Sequence, residues 1–251
     1  QAEDGIRDLV RSRGLGDVYK RQGLAHLTRP TLSLFLPAVF VWARARSGIP
    51  WKHLLVSALL FFVVILPWGL RNISALGEFH LGTANAGHVL WEGNNPYNTD
   101  GGVAGGDLRY LEEMPEGLGE LERDRWQRER AVEFIKSDPA RFARLAARKF
   151  ARFWNVRPNA PGFDRGLYRW TAFASFTPVL LFGLASIYLL RDRRSDTLIV
   201  WLFVCFYTAI HMATIGSLRY RLPLEPLLMA LAAAALSDVI HKRVQSSKSS
   251  K

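Results

Sequence analysis

The chain has 251 residues, of which 49% are hydrophobic, and a formal net charge of +11. Its one cysteine, Cys205, excludes an intrachain disulfide, and no residue spacing reads as a metal site. The positive charge gathers at the ends of apolar blocks and along one amphipathic segment, which favours anionic lipid over nucleic acid as partner. Three blocks carry no charge over bilayer-spanning lengths: residues 54–70, 170–190 and 197–218. A spanning helix needs roughly 20 mostly apolar residues. Residues 23–43, with Arg29, and 222–240, with Glu225 and Asp238, are weaker candidates. The expectation is an all-α polytopic membrane protein with about five transmembrane helices and a mixed outer loop domain containing amphipathic helices. Buried core helices of a large soluble protein are the alternative, but such helices rarely run this long without a polar face.

Residues 1–22 have mixed charge, no apolar period and no signal-peptide core. They resemble a translated sequencing-adapter tail, especially in GDVYKRQ, with a genuine cytoplasmic loop as the other reading. On the first reading the native sequence starts near Gly23 and the parent protein is longer. Residues 23–70 would hold the first two spans, 71–169 a large loop, 170–240 three more spans, and 241–251 a disordered cytoplasmic tail. Arg44, Arg46 and Lys52 lie between the first two spans, Arg191, Arg193 and Arg194 between the third and fourth, and Lys242 and Arg243 after the fifth. Simple alternation puts all three clusters on one side, which the positive-inside tendency makes the cytoplasm.

The loop at 71–169 is then outside. Its stretch 77–106 is rich in Gly, Asn, Thr and Asp and reads as turns and short strands. It contains WEGNNP, with Trp91, Asn94 and Asn95. Amides and an indole suit sugar hydroxyls and a ring face; asparagine in turns is the plainer account. A helix over about 118–136 is stopped by Ser137-Asp138-Pro139, which caps the next. That second helix sets Phe142, Leu145, Ala146, Phe150, Phe153 and Trp154 on one face, and Arg141, Arg144, Arg148 and Arg152 on another. It lies in the membrane interface, packs on the rest of the outer domain, or does both.

The order of GLAHLTRP at 23–30, PWGLRN at 67–72, ALGEFHLGTANAGHVLWEGNNP at 75–96, SDPARFARLAARKFARFW at 137–154 and RYRLPLEP at 219–226 resembles the C-terminal half of bacterial multi-spanning glycosyltransferases. These include the protein O-mannosyltransferases and the lipid A aminoarabinose transferases. The resemblance covers nearly all of residues 23–240. It implies a polyprenyl-phosphate-linked sugar donor at the outer leaflet of the bacterial inner membrane, and transfer with inversion. It also implies a catalytic acid in a first outer loop upstream of Gly23, so the chain alone is expected to be inactive. Asp100, Asp107, Glu112 and Glu113 do not match that motif. The implied contacts to sugar or acceptor are Trp91, Asn94, Asn95 and Tyr220. No cofactor is expected.

Topology alone gathers Arg29, Arg71, Arg219 and Arg221 at the outer ends of spans, where the orientation rule disfavours them. A charge near hydrocarbon usually has a partner or a task. A lipid phosphate fits, because guanidinium binds it through paired bonds; snorkelling, or pairing with Glu225, is the other account. His211, within a span, reads as an interior packed residue. Half of a transporter or flippase, or a non-catalytic membrane scaffold, are the competing functions.

Overall fold

The computed structural model describes residues 25–102, 108–158, 163 and 165–249, so the tail 1–22 and Asp107 lie outside the described residues. The described chain is all-helical and divides into two compact units, one up to Ala84 and one from Asn85. Four helical segments are long and apolar enough to cross a membrane: Trp51–Leu76, Gly166–Leu189, Arg191–Ala213 and Leu218–Lys242. No more than 28% of any of them is buried inside the protein. Large apolar side chains such as Leu59, Leu181, Leu202 and Met229 are exposed on them instead. Soluble core helices would be enclosed, so these are membrane-spanning candidates.

In the first unit, a 3-10 helix at Pro30–Phe35 leads into α1 (Leu36–Ser47), and α2 (Trp51–Leu76) follows. The expected span at 23–43 is therefore not one of the four. Arg29 is held extended before Pro30, and Pro30 and Pro37 each lack the N–H that a continuous helix would use. Gly48 and Gly77, both at left-handed φ, end α1 and α2. The chain after α2 folds back along it. Asn72 Nδ2 donates to the His80 carbonyl at 2.6 Å, and the Phe79 ring lies so close over Gly69 that a Cβ there would be 2.5 Å from it. His26 joins the same patch, 2.6 Å from the Ser33 hydroxyl and 3.1 Å from the Leu81 carbonyl.

In the second unit, α3 (Ala86–Gly93), α4 (Arg109–Glu112), α5 (Glu120–Ser137) and α6 (Pro139–Phe153) precede the spans. The expected short strands are absent among the described residues. The Gly- and Asn-rich stretch forms α3 and a set of asparagine-braced turns. Gly87 lets α3 and α5 meet at backbone distance, since a Cβ there would be 1.9 Å from the Asp124 carbonyl. Trp91, Tyr110 and Ala131 make the core of this part, with Trp126 edge-on to Trp91. Asp138 caps α6 as its sequence foretold, accepting from the Arg141 N–H at 2.8 Å with Pro139 next to it.

The spans of this unit are α7 (Gly166–Leu189), α8 (Arg194–Ala213), entered through a 3-10 turn at Arg191–Arg193, and α10 (Glu225–Ser249), entered through α9 (Leu218–Arg221) and a 3-10 turn at Leu222–Leu224. α7 and α10 pack along much of their length, with Leu228 against Gly183. α6 packs on α8. Residues 241–249 were expected to be disordered, yet they continue α10. Asp238 and Lys242, 2.7 Å apart at helical spacing, tie its last turns.

Candidate functional site

The turn between α8 and α10 decides how the arginines are used. Arg221 is buried. Its Nη1 donates to the carbonyls of Phe153, at 3.2 Å, and Asn155, at 2.7 Å, and its Nε donates to Glu225 at 3.1 Å. The guanidinium also lies 3.5 Å from the centre of the Phe176 ring. Carbonyls at a helix C-terminus lack intrahelical partners, and Arg221 supplies them for α6. It therefore braces α6 against α7 and α10, and the pairing with Glu225 weighed from sequence is present. Arg219 is exposed, with Nη2 3.2 Å from the Tyr220 hydroxyl. The Tyr220 ring stacks on His211, 4.9 Å between centroids, and His211 stacks in turn on Phe153. Tyr220 is thus packed by its ring face and meets Arg219 through its hydroxyl.

Two clefts adjoin Arg219. One, about 300 Å³, is bordered by Asn155, Arg157, Phe176, Arg219, Arg221 and Glu225. The other, about 630 Å³, has apolar walls that include Phe163, Leu167, Tyr168, Ala172 and Leu218, with Arg219 again on its border. Arg219 stands on the shared edge of a small cleft bordered by charged side chains and an apolar trough, and Arg157, exposed, borders the small cleft. Such an edge suits an amphiphile with an anionic head. Comparison with protein-family models, curated proteins and solved structures gave no match.

The other residues singled out in the sequence are placed differently. Arg29 and Arg71 belong to the first unit; Arg71 donates to Asn72 at 3.0 Å and lies over the Trp68 ring. Trp91, Asn94 and Asn95 are interior residues and offer no face to a sugar in this structure. The Trp91 indole donates to the Tyr110 carbonyl at 2.8 Å. Asn94 donates to the carbonyls of Leu90 and Ala213, both at 2.8 Å, and Asn95 to those of Trp91 and Glu92. Their amides satisfy backbone groups of irregular turns, which corrects the sugar-contact expectation in favour of the turn reading. Arginines of α6 hold the same turns: Arg141 donates to the Pro96 carbonyl, Arg148 to that of Thr99, and Arg152 to Asp100 at 2.8 Å. Of the two readings of α6, packing on its own domain is realised for these three, and Arg144 remains on the exposed face.

Two titratable groups escaped the sequence reading. Lys149 is fully buried, and its ammonium donates to the Asn94 side-chain oxygen at 2.8 Å. Burial draws its pKa down to about 7. Three glycines close around it: a Cβ on Gly93, Gly101 or Gly216 would come within 3.3, 2.8 or 2.5 Å of Lys149 atoms. The signal was its position at 149, in step with Leu145 and Phe153 on the buried face of α6. Glu92 is part-buried 3.8 Å from His88. Burial raises its pKa, and the charges of His88 and Arg219 partly offset the rise. Among the described residues no group of three or more His, Cys, Asp or Glu side chains is arranged to hold a metal ion.

Proposed function

We propose that the chain acts in sugar transfer at the outer leaflet of a bacterial cytoplasmic membrane, binding the phosphate of a polyprenyl-phosphate-linked sugar, with its C-terminus in the cytoplasm. The observation that carries this reading is Arg219 on the border between a cleft lined by Arg157 and a trough walled by apolar side chains. The ordered motifs that resemble bacterial polyprenyl-dependent glycosyltransferases support it. The reading gives Arg219 and Arg157 to the phosphate, where charge develops as the sugar leaves, and keeps Arg221 as a brace. Trp91, Asn94 and Asn95 take no part in binding the sugar.

The test is equilibrium binding of a polyprenyl phosphate to the purified 251-residue chain in nanodiscs. Arg219→Ala is expected to weaken binding about ten- to a hundredfold, the loss of one charge-assisted phosphate contact. Arg219→Lys should recover only part of this, because lysine lacks the planar fork. Saturable binding unchanged in both Arg219→Ala and Arg157→Ala would sink the assignment.

A further inference from the structure

The last turn of α3 is fixed to the segment that leads into α9. A Cβ on Gly93 would come 1.9 Å from the Thr214 carbonyl oxygen, so the two backbones touch there. Asn94 donates to the Ala213 carbonyl at 2.8 Å, and the Gly216 N–H donates to the Gly101 carbonyl at 3.2 Å. Glu92 stands immediately before this junction and Arg219 shortly after it. The junction brings an acid of α3 within reach of the charge on the exposed arginine of α9. The Glu92 side chain is 14% exposed, and among the described residues its charged neighbour within 4 Å is His88, at 3.8 Å. From other elements it faces Arg219 of α9 and Tyr110 of α4. Gln127 of α5 lies 3.3 Å from the other ring nitrogen of His88. The charged groups that α5 brings to α3, Asp124 and Arg128, pair with each other at 2.5 Å, and Lys149 of α6 is engaged by Asn94.

An acid so placed is coupled to whatever Arg219 binds. With no anion at Arg219, the guanidinium helps to keep the Glu92 carboxylate ionised. An anion on Arg219 cancels that field and adds a repulsion of its own, so the carboxylate then favours its proton. We propose that Glu92 is a positioning residue that competes for the Arg219 guanidinium and yields it by taking up a proton from solvent when the phosphate binds, an inference that rests on the phosphate reading above. Linkage is reciprocal, so affinity for the phosphate must rise as pH falls through the range in which Glu92 titrates. A donor phosphodiester keeps a single charge across that range, and the slope then belongs to the protein.

The test is equilibrium binding of a polyprenyl methyl phosphodiester to the full chain in phosphatidylcholine nanodiscs, between about pH 5 and 8. A histidine ordinarily titrates in the same range, so the comparison is made in a His88→Gln background. There the affinity should rise about three- to tenfold as the pH falls, the size expected of two like charges partly screened from each other. Adding Glu92→Gln should abolish the rise and leave the affinity at neutral pH about as tight as that of His88→Gln in acid. Calorimetry of the unaltered chain in buffers of different ionisation enthalpy should show net proton uptake on binding, and this needs no variant to fold. A flat profile in His88→Gln, an equal rise with Glu92→Gln present, or no proton uptake by the unaltered chain would each overturn the role of Glu92 and leave the phosphate site standing. Absence of saturable binding at every pH would bring down the phosphate reading, and this inference with it.

Discussion

Lys149 carries the clearest pH dependence in the molecule. In the unfolded chain a lysine titrates near 10.4, and burial holds this one at about 7 in the fold. Below pH 7 both states are protonated, and burying the ammonium costs on the order of a few kcal/mol. Between about 7 and 10.4 the unfolded state binds the extra proton, so stability rises with pH across that window. Lys149→Met keeps the length and loses the charge, at the cost of leaving the Asn94 oxygen without its donor. Its Tm in detergent is expected to change little between pH 7 and 10, where the parent's Tm climbs. Parallel curves for the two would show that the amine keeps its charge through some route other than Asn94. The same scale explains why this residue was illegible in the sequence. Lysine amid arginines on an amphipathic helix looks like one more surface cation, and only its phase with Leu145 and Phe153 sets it apart.

At the scale of elements, α6 depends on a residue 68 positions further along the chain, since Arg221 supplies the partner of its Phe153 carbonyl. Arg221→Ala should destabilise the protein by roughly 3–5 kcal/mol, as expected when one member of a buried ion pair is removed. Arg221→Lys should restore little, because one ammonium cannot reach both carbonyls and Glu225 in a planar fork. Thermal unfolding in detergent measures both; a loss under about 1 kcal/mol for the alanine variant would contradict the bracing role. The boundaries of α5 and α6 were readable within two residues, because Ser137, Asp138 and Pro139 are local signals. The turns at 94–102 were not readable as a structural knot, because what makes them one is remote: Lys149, Arg141, Arg148 and Ala213 all reach them from other elements. The arginines at 219 and 221 share one local pattern, and only tertiary packing separates the brace from the exposed cation.

For the molecule as a whole, the segregation of charge from apolar blocks made the spans legible, apart from 23–43, where two prolines divide the helix. Which side of the membrane each loop occupies follows only from the distribution of Lys and Arg, and that is testable. In a Cys205→Ala background, Glu116→Cys should react with an impermeant maleimide in intact cells, and Ser195→Cys only after permeabilisation. Both positions are exposed. The reverse pattern would place the Arg219 clefts in the cytoplasm and remove the basis for transfer at the outer leaflet.

The glycine-walled burial of Lys149 also makes it a clock. Near pH 7 a good part of its amines carry no proton and are intrinsically ready to attack an acylating reagent, yet no reagent can pass Gly93, Gly101 and Gly216 while the fold is closed. Acylation at this one position can proceed only in moments when α6 lifts from the turns around it. In mass spectrometry, its rate relative to the exposed Lys136 would count those openings directly and report how firmly α6 is held in the presence of any ligand.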